Sequence, residues 1–281
     1  MIKCKVLNKE FATKEDMFAE LRKSKKQLID FKTSQIYKSC EKDNSIYARP
    51  IDVSKYSEAN KGIQGDENFY YVAVNSTGIL DSHGDLHVKG IWNKSIKEQQ
   101  GKNYLVLDHK MEVGNTVVKK EYIETFAMDL PFSVVGKNYD GNGEFLIYKF
   151  PKDKVINSIA KEWLESGDAI ESSVRMQYVK VSLAMNSENK ADAEEKSTYD
   201  NNIDLVANKS DFDNIEYFFV VKEAANRGES SLVLAGSNHV TGVIQIEDKQ
   251  EPLKSTIDNE PSSDTQTELQ KQLLTELLQK F

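Results

Sequence analysis

Between residues 13 and 40 the apolar positions Met17, Leu21 and Leu28 fall on one helical stripe, Thr13 stands where a cap belongs, and Glu15 and Asp16 occupy the first turn. The pattern predicts an N-terminal helical arm. Residues 41–65 carry Pro50, Ser54, Asn60 and Gly62 without any period, which predicts a connector. From Phe69 the texture changes. Tyr70-Tyr71-Val72-Ala73-Val74 is aromatic and β-branched and stops at Asn75-Ser76-Thr77-Gly78, so a buried strand and a turn are expected. Further strands are predicted at 104–107, 122–128, 174–183, 217–221 and 231–234. One helix is predicted at 154–166, where Val155, Ile159, Ala160, Trp163 and Leu164 hold helical spacing. The stretch 186–197 is polar almost throughout and reads as a surface excursion between strands. After Ile246 the composition turns to Lys, Glu, Asp, Pro and Ser, as in a linker. Thr265 and Glu268 then form a capping box before an amphipathic helix with Leu269, Leu273, Leu277 and Phe281 on one face. Three parts result: a helical arm and connector over 1–65, a mixed α+β core that is mainly strand over 66–246, and a linker with a tethered helix over 247–281.

Composition narrows the function classes. The chain has 281 residues, 39% apolar and 29% charged, with a mean hydropathy of -0.57. Its longest apolar run, 69–74, is far short of the ~18–20 residues that cross a bilayer, so no membrane partner is expected. Met1-Ile2-Lys3-Cys4-Lys5 lacks the apolar stretch of a secretory signal, which predicts a protein that stays where it is made. Two cysteines, Cys4 and Cys40, can build neither a disulfide framework nor a metal-ligand spacing, and fit a reducing cytoplasm. A net charge of -8 argues against a surface that tracks phosphates, so nucleic acid is not an expected partner. The basic residues Arg22, Lys23, Lys25, Lys26, Lys32 and Lys38 on the arm read as a solvated face.

Four histidines bound the acid–base chemistry. His83 and His87, with Asp81 and Asp85, have a spacing that could serve a metal-dependent hydrolase if it lay on a helix. Asp81-Ser82-His83-Gly84-Asp85 is instead turn chemistry, and no metal or other cofactor is expected. His239 sits in an apparent loop, where exposure is the default. His109 follows Tyr104-Leu105-Val106-Leu107 and so stands at the end of a predicted strand, a position rigid enough to aim an imidazole.

Three segments, in order, resemble the caudoviral prohead (capsid maturation) proteases, serine peptidases similar in fold to herpesvirus assemblin. The first runs from Asp81-Ser82-His83-Gly84-Asp85 through Gly90-Ile91-Trp92 to Leu107-Asp108-His109. The second is Gly167-Asp168-Ala169-Ile170-Glu171-Ser172-Ser173-Val174-Arg175-Met176, and the third runs from Gly228-Glu229-Ser230-Ser231 to Gly236-Ser237-Asn238. The resemblance covers roughly 66–245 and implies His109 as general base, Ser173 as nucleophile and Glu229 as the acidic third member; Glu223 and Asp108 are the alternates for that last role. Arg175 stands where the family usually has glycine, and 186–197 lengthens the route to the third segment.

The resemblance implies an α+β fold with a mostly antiparallel, β-barrel-like core flanked by helices. It implies an endopeptidase in the host cytoplasm, inside the assembling prohead. Its substrates would be the scaffold protein, the propeptide of the major capsid protein and itself, with self-association possible. The rival expectation is a noncatalytic scaffold or internal core protein that keeps the protease fold and works through its terminal helices.

Overall fold

The computed structural model describes residues 1–37, 66–166 and 170–244, all within one compact unit, Met1–Glu247. The connector expected over 41–65, the residues Gly167 and Asp168, and the linker and helix expected over 247–281 lie outside the described residues. A hairpin of β1 (Ile2–Cys4) and β2 (Lys9–Phe11) leads into α1 (Lys14–Ser34), whose first turn is capped by Thr13 accepting from the Asp16 N–H. The core follows as β3 (Phe69–Ser76), β4 (Asp85–His87), α2 (Asn93–Gln99), β5 (Tyr104–Leu107), β6 (Thr116–Val118), β7 (Glu124–Pro131) and β8 (Asn142–Pro151). It closes with α3 (Ser158–Ser166), β9 (Glu171–Met185), α4 (Ala193–Asn202), β10 (Tyr217–Val233) and β11 (Gly242–Val243).

The architecture is mixed α+β with two main sheets. One has the order β11-β3-β8-β7 and is antiparallel throughout. The other is built on β10. Its whole length pairs antiparallel with β9 along one edge, while the other edge carries β4 and then β5, both parallel, with β6 antiparallel outside β5. Neither sheet closes on itself among the described residues, so the core is a pair of open sheets. The period-2 pattern explains how they pack. Tyr70, Val72 and Val74 of β3, with Leu146, Tyr148 and Phe150 of β8, meet Val174, Met176 and Tyr178 of β9 and Leu232 of β10 in one buried cluster. The alternate residues Tyr71, Ala73, Phe145 and Ile147 join a second cluster on the outer face. On the far side of β9 and β10, Met17, Phe18 and Leu21 of α1 pack against Leu183, Met185 and Phe219.

Several elements differ from the sequence expectation. The strands expected at 217–221 and 231–234 are the two ends of β10, joined through Lys222-Glu223-Ala224-Ala225-Asn226-Arg227-Gly228-Glu229, whose polar residues mask its strand character. β7 begins after a short 3-10 turn at Lys120–Tyr122, β8 is an additional strand, and α3 is shorter than 154–166. The polar excursion contains the start of α4. That helix receives the arm: Arg22 pairs with Asp192 at 2.7 Å, and Lys25 with Glu194 at 2.8 Å and Glu195 at 2.5 Å. Part of the basic face expected to be solvated is therefore a docking face.

The arm's last turn reaches deeper. Lys32 Nζ donates to Asp85 Oδ1 at 2.5 Å, and Tyr178 O–H donates to Asp85 Oδ2 at 3.0 Å. His87 Nε2 lies 3.1 Å from the Tyr178 oxygen, Asn75 Nδ2 lies 3.1 Å from His87 Nδ1, and Trp92 Nε1–H donates to Asn75 Oδ1 at 2.9 Å. The tryptophan can only donate, so it fixes the Asn75 amide. That amide in turn makes Nδ1 of His87 the acceptor and Nε2–H the donor. The buried chain ties α1, β3, β4 and β9 together and leaves no ring nitrogen of His87 to meet the exposed His83.

Candidate active site

The ladder between β9 and β10 fixes which side chains can meet. Ser173 pairs with Ser231, Ser172 with Leu232 and Val174 with Ser230. Cross-strand partners point to the same face and successive residues to opposite faces. Ser173 therefore shares a face with Ser231 and, two residues before it, Glu229. Ser172 shares the apolar face with Leu232, where its hydroxyl is buried without a hydrogen-bond partner.

Glu229 owes its position to a bulge. Between the pairs Asn226↔Met176 and Ser230↔Val174, β10 advances four residues while β9 advances two. Gly228 takes a φ of +92 there, a conformation that L side chains rarely adopt. Asn226 anchors the bulge by donating its N–H to Ser95 Oγ at 3.0 Å and its amide to Tyr148 OH at 2.6 Å. Glu229 leaves it opposite Tyr104 of β5 and fully buried.

His109 arrives from the other neighbour of β10. β5 ends at Leu107, and Asp108 and His109 follow with φ of +49 and +54, while the Lys110 N–H closes back on Leu107 O at 3.0 Å. These are the features of a type I′ turn. The turn brings the imidazole over β10: His109 Nδ1 lies 2.9 and 3.1 Å from the two oxygens of Glu229, and the His109 side chain is only 5% exposed. A carboxylate only accepts, so Nδ1 carries the proton and Nε2 is the basic nitrogen of the neutral ring.

Of the sequence-expected residues, the structure brings His109 and Glu229 into direct contact. It sets Ser173 on the same sheet face one strand away, with no hydrogen bond between Ser173 and His109. Glu223 is instead paired with Lys180 at 2.8 Å and Lys94 at 3.6 Å, and the Lys180 ammonium holds its carboxyl below the usual range. Asp108 is exposed on the turn. Arg175 lies two residues beyond Ser173 on the same strand face, and its Nε is buried without a hydrogen-bond partner. His239 is half-buried, contrary to the expectation of exposure. Its Nε2 lies 2.7 Å from Tyr139 OH, and burial pushes its pKa down. The sequence reading passed over Ser231, whose hydroxyl accepts from the His109 N–H at 2.9 Å; a serine two positions after the acid was the available signal.

No family model, curated protein or solved structure matches the chain. No helix among the described residues is long and apolar enough to cross a membrane.

Proposed function

We propose that the chain is a serine endopeptidase of capsid maturation, with Ser173 as nucleophile, His109 as general base and Glu229 as its orienting carboxylate. The observation that carries the reading is the His109–Glu229 contact, made by a buried carboxylate to an imidazole at a turn on the sheet face that also bears Ser173. In the reaction the Ser173 oxygen attacks the scissile carbonyl carbon while its proton passes to His109 Nε2. Glu229 stabilises the imidazolium. Collapse of the tetrahedral intermediate breaks the C–N bond, the leaving amine takes the proton from His109, and water releases the acyl group by the same route. The Ser173–His109 hydrogen bond that this step requires would form as substrate seats. The Arg175 guanidinium is the cationic donor nearest along the strand for a developing oxyanion. Met111, Val113 and Leu234, all exposed, offer apolar surface to an extended chain.

The order of the three segments supports placing the enzyme among the prohead proteases, with its two open sheets arranged as in an assemblin-like core. Scaffold protein, the capsid protein propeptide and the enzyme itself would then be its substrates, inside the assembling prohead in the host cytoplasm. The lack of a hydrogen bond between Ser173 and His109 favours a second reading, a noncatalytic internal scaffold that keeps the fold. Incubating the purified chain alone and with its capsid and scaffold proteins decides between them. The enzyme reading expects cleavage that Ser173→Ala and His109→Ala each lower by about 10⁴-fold or more, with Glu229→Gln costing less. It expects a mild effect from Ser172→Ala, which faces the core. A folded wild-type chain that cuts none of these proteins would sink the enzyme reading and leave the scaffold reading.

A further inference from the structure

The hydroxyl of Ser231 is fully buried at the centre of the site and fully used. It accepts from the His109 N–H at 2.9 Å and lies 3.1 Å from Val106 O and 3.2 Å from Leu232 O, so its single proton has a carbonyl on either side. Leu232 O also receives the Asp108 N–H at 3.1 Å. Ser231 and the carbonyl after it thus hold both residues of the 107–110 turn from below. That turn needs holding. Type I′ turns favour Asn-Gly because both central residues have positive φ, a region that L side chains disfavour. Asp108 and His109 are both non-glycine.

The two anchors of His109 lie two residues apart on one face of β10. Glu229 takes the ring through Nδ1, and Ser231 takes the backbone N–H. Directly across the ladder from Ser231 is Ser173. We infer that Ser231 is the positioning residue of this site: its hydroxyl holds the left-handed turn that delivers His109 onto Glu229 and toward Ser173. A buried serine used only to fill space would make no bond to the turn. This inference rests on the peptidase reading for its catalytic consequence, whereas its structural content, the hold on His109, stands on the geometry alone.

The test compares Ser231→Thr with Ser231→Val, which share a shape and differ by the hydroxyl, alongside Ser231→Ala. Two readouts are taken on the full chain: kcat and KM on a peptide cut by the wild type, and the Nδ1–H proton of His109 in ¹⁵N-edited NMR. The hydroxyl-less variants should lower kcat by about 10–100-fold with KM within about twofold, and should lose or shift the His109 Nδ1–H signal. Ser231→Thr should keep that signal and recover kcat to within several-fold. If Ser231→Val leaves both kcat and the His109 signal as in Ser231→Thr, the inference is wrong, and the same result from folded Ser231→Ala would overturn it independently. If the wild type cuts nothing but the His109 signal still depends on the hydroxyl, the peptidase reading fails and the positioning role stands.

Discussion

At residue scale the turn after β5 shows backbone geometry overriding side-chain preference. Asp108 is exposed and has a φ of +49, so its identity contributes little beyond the backbone it must adopt. Glycine at that position removes the left-handed penalty but widens the unfolded ensemble, two effects of similar size and opposite sign. Asp108→Gly should therefore change stability by less than about 1 kcal/mol. Asp108→Val, with a β-branched side chain in the same region, should lose about 2 kcal/mol. Urea midpoints for the two variants measure the difference, and equal midpoints would show that the turn is not strained. His109 was legible as a strand-end histidine because the apolar run 104–107 stops in front of it. Its approach to Glu229 was not, because it depends on two positive φ values and on a bulge at Gly228, and local periodicity encodes neither. Ser173 and Ser172 are alike in sequence, and only the register with Ser231 and Leu232 separates them.

At the scale of elements, local pattern was a good guide where one strand meets one environment and a poor one where partners lie far along the chain. The strand at 104–107 and the first strand of the core follow from alternation and turn residues. The polar middle of β10 makes its pattern read as two strands, and that middle contains the bulge that frees Glu229 from the β9 ladder. The basic face of α1 gave no hint of docking, since its partners Asp192, Glu194 and Glu195 lie about 170 residues away in a stretch that reads as loop. The buried chain from Lys32 to Trp92 leaves no local pattern either, and it makes stability depend on pH. Burial holds His87 neutral and pushes its pKa down to about 3, with the nearby Lys32 charge acting in the same direction. A proton on Nδ1 would also face the Asn75 amide hydrogens. The unfolded chain binds that proton with a pKa near 6.5, so this group's contribution is complete above pH 6.5 and is lost as pH falls from there toward 3. Between pH 6.5 and 5 the loss from His87 alone should be on the order of 1–2 kcal/mol. The variant His87→Gln should show a correspondingly flatter stability curve over that interval in urea titrations. Parallel curves would mean that His87 is not the buried neutral group described.

For the whole molecule, the unit Met1–Glu247 holds the proposed site, and the sequence beyond Ile246 predicts a polar tether and a helix. The four-residue spacing of Leu269, Leu273, Leu277 and Phe281 predicts an apolar stripe on a helix of about 17 residues, a length that is marginal alone in water. The stripe needs a surface. A helix meant only to cover the core would not require the long polar tether, Glu247-Asp248 through Ser263, that precedes it, whereas a helix that engages scaffold or capsid protein would. Under the peptidase reading, the acidic polar sequence of the tether is of the type that such an enzyme cuts, so the proposal joins delivery and later release in one segment. Removing residues 250–281 should leave cleavage of a free peptide within about twofold of wild type while lowering the number of enzyme copies incorporated per prohead. Counting copies in purified proheads, beside a peptide assay on the truncated enzyme, reads both quantities. A truncated chain that is insoluble, or inactive on free peptide, would place the helix with the core and end the delivery hypothesis.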